Sequence, residues 1–235
     1  MGITLKDRLD DVEYKGRRLI WLAIYVATVV AIGFFLHNNI GSIYKFGMSI
    51  GSIFCKSQYA KSLFDGEDYS DAYPLFAEVS DEGYDNALIY AGICKERLGE
   101  YAQAAELYEQ AYQTDIYSNE SDYYTLAYSI ACCYFNSGDY INALSWADNS
   151  TKGNLSEGFN LAGWCHFQLG DTNSAIDSFT TAIDLGYTEG LYGLGCCHER
   201  NGDKILAADC YRQAAQAGSQ SAKERLEELE LTEGQ

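Results

Sequence analysis

One proline, Pro74, interrupts a chain of 235 residues. A loop-rich β-sandwich or a proline-rich linker would need many more, so both are excluded. Histidine is nearly as scarce. Only His37, His166 and His198 are available as imidazole bases, which leaves little capacity for general acid–base work. The eight cysteines contain no C-x-x-C pair, so the dithiol redox spacing is absent. Basic side chains are few beyond residue 62. There, 8 Lys/Arg stand against 30 Asp/Glu, a net of −22, whereas residues 1–62 carry 8 against 4, a net of +4. So acidic a surface repels nucleic acid, whose phosphates need cationic neutralisation. It also stands off from an anionic bilayer surface. No nucleophile–base pair, phosphate loop or metal-ligand spacing emerges, so neither catalysis, a cofactor nor a metal is expected.

What the chain does have is one long apolar run and a periodic pattern. Leu19–Leu36 reads LIWLAIYVATVVAIGFFL, 18 residues without charge or proline. At about 1.5 Å per residue it matches the hydrocarbon thickness of a bilayer. No small-x-small cleavage site follows it, so an uncleaved single-pass anchor is expected. Lys6, Arg8, Lys15, Arg17 and Arg18 precede the run. By the positive-inside rule they favour a cytoplasmic N-terminus and an extracytoplasmic domain. The many cysteines suit a reducing compartment, so the opposite topology stays open. Residues 37–52 continue at helical spacing as a juxtamembrane linker. Within it Gly47 and Gly51 form a G-x-x-x-G surface that could pair two copies.

Beyond residue 52 the sequence repeats itself. YAGICKERLGEYAQAAELYEQA, SIACCYFNSGDYINALSWADNS, LAGWCHFQLGDTNSAIDSFTTA and GLGCCHERNGDKILAADCYRQA align without gaps. Their landmark glycines are Gly99, Gly138, Gly170 and Gly202, spaced by 39, 32 and 32. Five residues after each comes Ala104, Ala143, Ala175 or Ala207. Seven before come Gly92, Ala131, Gly163 and Gly195. Tyr108, Phe179 and Tyr211 follow their glycines by nine, while Trp146 falls one residue early. A worn first copy holds Gly66, Ala72 and Phe76 with one extra residue. About seven additional residues between the second and third copies, within TDIYSNESDYY, form a loop or added turns of helix.

Each landmark has a physical purpose. The glycine ends a helix in a left-handed cap, and the acidic residue that usually follows starts the next. The small residues let two helices approach, and the aromatic plugs the gap between neighbouring repeats. A lone helical pair cannot bury its apolar face, so the pairs stack. The expected fold is all-α: a transmembrane helix followed by an α-solenoid of about five helix-turn-helix repeats. Its segments are a basic 1–18, the anchor 19–36, the linker 37–52, repeats over 53–222, and an acidic capping helix and tail over 223–235.

The small–glycine–alanine–aromatic–alanine pattern resembles the tetratricopeptide repeat. AAQAGSQSA after the last copy resembles the related Sel-one-like repeats. The alignment also disposes of the apparent metal motif CCH at 196–198. Cys94, Cys133, Cys165 and Cys197 all occupy one repeat position, where a small buried residue belongs.

The resemblance implies protein–protein binding. First helices would line a concave groove, and carrying its positions over gives Ile89, Ile93, Tyr128, Phe135, Asn160, Trp164, Phe167, Gln168, Tyr192 and Arg200. Cys132, Cys196, Glu96 and Glu199 lie beside them. The groove is expected to lack a lysine/arginine cluster, which disfavours an acidic peptide terminus as ligand. A basic and apolar partner fits the charge better. The expected role is a membrane-anchored scaffold or adaptor. The alternative is an assembly subunit of a membrane complex whose main contacts come from residues 19–54.

Overall fold

The structure, a computed structural model, describes residues 53–81, 86–114 and 120–233. The expected membrane helix, the linker and the Gly47/Gly51 pair lie outside the described residues. Among the described residues no helix is long and apolar enough to cross a membrane.

Eleven helices occupy the described residues: α1 (Ile53–Asp65), α2 (Tyr69–Asp81), α3 (Ala87–Arg97), α4 (Tyr101–Gln113), α5 (Glu120–Ser137), α6 (Tyr140–Thr151), α7 (Ser156–Leu169), α8 (Thr172–Asp184), α9 (Gly190–Arg200), α10 (Lys204–Gln216) and α11 (Gln220–Glu233). The chain divides into two compact units, residues 1–62 and 63–235, with the boundary inside α1. In the second unit each helix from α2 onward packs on its successor. The first helices of successive repeats also touch, α5 on α7 and α7 on α9. This is the stacked-pair geometry of a solenoid.

The landmark glycines close the turns as expected. Gly99, Gly138, Gly170 and Gly202 have φ of 77°, 86°, 87° and 85°. After α7, the Gly170 N–H donates to Phe167 O at 3.2 Å and the Asp171 N–H to His166 O at 2.9 Å. That pair of bonds satisfies the last carbonyls of the helix. The acidic successors then cap the next helix. Asp139 and Asp171 accept the Asn142 and Ser174 N–H groups, each at 3.1 Å. Glu100 makes no such bond and instead receives Lys95 Nζ at 2.7 Å.

Two expectations need correction. The first copy has no extra residue. Its left-handed position is Glu67, with φ of 63°, and the Asp68 N–H reaches back to Leu63 O at 2.9 Å. Counted from Glu67 rather than Gly66, Ala72 follows by five and Phe76 by nine. The spacing to Gly99 becomes 32, matching the later copies. A glutamate with a strained, left-handed backbone holds the place of a glycine there.

The capping helix begins at Gln220, inside the expected repeat segment. It continues the repeat: Ala222 lies 32 residues after Gly190 and Leu229 32 after Cys197. Ala222 and Leu229 are buried against Ala207, Tyr211 and Ala214, so α11 covers the last pair from the position of a repeat's first helix.

The aromatics pack between repeats as expected, Tyr108 with Ile130, Phe179 with Cys197 and Tyr211 with Ala222, and they also fill the gap within a repeat. A Cβ on Gly92 would lie 2.5 Å from the Tyr108 ring, and one on Gly195 2.6 Å from Tyr211, each in its own repeat. Phe179 meets glycine on both sides. It is fully buried, with Gly163 of its own repeat on one side and Gly193 of the next on the other. Trp146, one residue early, turns back onto α4. Its Nε1 donates to Glu109 at 2.9 Å and its ring meets Tyr112 edge-on at 4.8 Å.

The insertion resolves in part as helix. α5 has 18 residues, against 11 to 14 in α3, α7 and α9. Tyr124 on its added turn lies against Gly153, where a Cβ would sit 2.4 Å from the ring. Residues 115–119 lie outside the described residues.

Candidate partner-binding groove

Helices α3, α5, α7 and α9 bring the sequence-predicted residues to one side of their pairs. Ile89, Ile93, Tyr128, Phe135, Asn160, Trp164, Phe167 and Tyr192 are all half-buried, while Gln168 and Arg200 are exposed. Half-burial has a local cause. Each side chain packs its base onto the seam below and leaves an edge outward. Ile89 and Ile93 rest on the cluster around Ala104, Tyr108 and Ile130. Tyr128 and Phe135 rest on Ala131, Leu161 and Cys165. Trp164 and Phe167 rest on Phe179 and Cys197, and Tyr192 on Tyr211 and Ala222.

The aromatics of this face, Tyr128, Phe135, Trp164, Phe167 and Tyr192, are not all joined ring to ring. Trp164 is the hub of a contiguous group, with Phe167 at 5.7 Å and Tyr192 at 5.9 Å between ring centroids. Buried Phe179 meets it edge-on at 5.2 Å, and Tyr192 continues to Tyr211 at 5.7 Å. Such offset and edge-to-face pairs hold ring positions and present area with few rotors. Phe135 instead pairs with Tyr140 at 5.2 Å.

Between α7, α9, α10 and α11 lies an open depression of about 420 Å³, lined by Phe167, Cys196, Glu199, Arg200, Tyr211 and Arg225. Two of these are cations, against the expectation of a groove without a basic cluster. Both are occupied. The Arg200 guanidinium stacks on the Phe167 ring at 3.3 Å and donates to the Phe167 carbonyl. Arg225 Nε donates to Glu199 Oε2 at 3.0 Å, and its terminal nitrogens reach Glu199 and Glu228. The Arg225 hydrogen bonds, with Tyr211 adding one, hold the Glu199 carboxyl below its usual range despite partial burial. Arg225 escaped the sequence reading because it sits in what reads as a capping tail. Only the 32-residue spacing from Gly193 could have found it.

Asn160 adds a polar feature. Its Oδ1 is buried and accepts no hydrogen bond from any described residue, a costly state for an amide oxygen. The cysteine column is the opposite, closed and inert. Cys94, Cys133, Cys165 and Cys197 are buried free thiols. Burial pushes Cys133, Cys165 and Cys197 up to about 12 and Cys94 to about 11, which removes the thiolate that nucleophiles and metal ligands need. Cys196 is half-buried in the depression, where the Tyr211 hydroxyl lies 3.4 Å from its sulfur. Among the described residues no three His, Cys, Asp or Glu side chains converge where a metal could sit.

Stacked helix pairs with a glycine cap, a ring-on-glycine contact and a lined inner face define an α-solenoid of the helix-turn-helix repeat class. Residues 59–121 and 160–222 match the tetratricopeptide repeat family, together more than half of the chain, and the chain belongs to that family. No curated protein sequence matches it. Among solved structures, MamA from Desulfovibrio magneticus RS-1 is similar at 15% identity, covering 70% of this chain and 93% of that one, with a TM-score of 0.61. YrrB, described as a TPR protein with an unusual peptide-binding site, is 14% identical over 79% of this chain and 97% of its own, with a TM-score of 0.61. MamA of MSR-1 is 19% identical, with 74% and 97% covered and a TM-score of 0.57. At these identities the likeness is one of fold.

Proposed function

We propose that the chain is a non-catalytic interaction scaffold that docks a partner protein on the inner face of α3, α5, α7 and α9. The observation that carries this reading is the finish of that face. Trp164, Phe167 and Tyr192 are held in fixed ring contacts yet left half-open, beside the unsatisfied Asn160 oxygen. Elsewhere the same helices are sealed by alanine, glycine and cysteine. Rigid aromatic edges suit an extended segment or helix of another protein. The net of −22 beyond residue 62 favours a partner that is basic as well as apolar. Residues 19–36 would anchor the scaffold in a membrane, with residues 1–18 in the cytoplasm and the repeats on the far side. The Sel-one-like affinity of the last connection rests on AAQAGSQSA alone.

A Trp164→Ala, Phe167→Ala double variant is expected to lose partner capture by about 2 kcal/mol or more, while its helical circular dichroism stays native. Unchanged capture would remove the groove assignment. A chain lacking residues 1–52 is expected to keep capture. Loss there, with the double variant intact, would favour the assembly-subunit reading through residues 19–54.

A further inference from the structure

The last described repeat contains a worked example of how this groove holds a cation. The Tyr211 hydroxyl donates to Glu199 Oε2 at 2.9 Å, and that fixed carboxylate receives Arg225 from α11. Arg225 lies at the repeat position of Gly193, Leu161 and Ser129, 32 residues apart in turn.

The same pair recurs three seams earlier. The Tyr108 hydroxyl donates to Glu96 Oε2 at 2.9 Å, with the same separation of 12 residues. Tyr108 is buried, and burial together with the Glu96 charge pushes its pKa up, so the hydroxyl remains a donor. Glu96 itself is exposed, whereas the Glu199 side chain is 23% exposed. The following helix offers no cation here. The position of Arg225 is taken by Ser129, whose hydroxyl turns back to Thr125 O at 3.2 Å. Neighbouring Lys95 is committed to Glu100 at 2.7 Å and to the face of Tyr73 at 4.1 Å. In the two repeats between, Phe135 and Phe167 stand at the carboxylate's position and Ala147 and Phe179 at the hydroxyl's, so the pair exists only at these two places among the described repeats.

We propose that Glu96, oriented by Tyr108, receives one arginine or lysine side chain of the docked partner, entering from the groove over Ser129. This rests on the groove reading above. It gives that partner one defined basic residue rather than a diffuse positive charge.

The full-length chain, with labelled glutamate and tyrosine side chains, is titrated by NMR with N-acetyl-arginine amide and with its neutral citrulline analogue. The arginine probe is expected to move the Glu96 and Tyr108 resonances ahead of the other carboxylates, and the citrulline probe to leave them in place. Ser129→Arg supplies the cation internally and is expected to weaken the probe and the partner roughly tenfold, with Ser129→Ala unchanged. Shifts spread evenly over the acidic surface, or a still Glu96, would overturn the proposal. If Ser129→Arg leaves partner capture intact while Trp164→Ala, Phe167→Ala abolishes it, the receptor is overturned and the groove stands. If neither change affects capture, both fall.

Discussion

The α7–α9 seam and the α3–α5 seam are built from one pattern but finished differently. At the first, the repeats are 32 residues apart, and Phe179 is clasped between Gly163 and Gly193. At the second, the spacing is 39, Tyr108 meets glycine on one side only, at Gly92, and Ser129 stands where Gly193 would be. The closed seam uses its ring wholly for cohesion. The open seam gives its ring a hydroxyl, aims that at Glu96, and lengthens α5 by an extra turn. A solenoid keeps its stacking positions and varies the inner face, because only stacking is demanded by every neighbour.

The sharpest test of that contrast is Phe179→Ala. Removing a fully buried ring that serves two repeats is expected to cost about 3–5 kcal/mol in urea unfolding. Gly193→Ala at the same seam is expected to cost about 1–3 kcal/mol, because the new methyl falls 2.4 Å from the Phe179 ring. Ser129→Ala, its counterpart at the open seam, should stay within about 0.5 kcal/mol. Equal costs for Gly193→Ala and Ser129→Ala would erase the distinction between the seams.

A smaller pair of effects tests the turns. Gly170→Ala at φ of 87° has no steric neighbour, so its cost of about 1 kcal/mol is purely backbone. Glu67→Gly is the mirror case and is expected to gain about 0.5–1 kcal/mol. A loss on Glu67→Gly would mean that the carboxylate side chain contributes more than its backbone strain subtracts.

Much of this was legible in advance for a physical reason. Glycine at a left-handed cap and alanine at a helix crossing are demanded by backbone geometry, so Gly99, Gly138, Gly170, Gly202 and their alanines declared the turns and crossings. Three features were not legible. Glu67 adopts a glycine conformation without being glycine, which displaced the first repeat by one residue. Arg225 acts from a segment whose charged composition reads as a solvated tail. The ring of Trp146 points back to α4, a choice set by its bond to Glu109 rather than by any local pattern. Of the site, the column positions were readable because they follow the register. The division into a Trp164 hub and a separate Phe135–Tyr140 pair depends on rotamers that register does not set.

The claim that the inner face is the docking surface is tested most directly by site-specific photo-crosslinking in the full-length chain. A benzophenone side chain is placed at Gln168, exposed on the inner face of α7, and separately at Asp177, exposed on α8. The partner is expected to crosslink from position 168 and not from 177. Crosslinking from 177 with none from 168 would contradict the account.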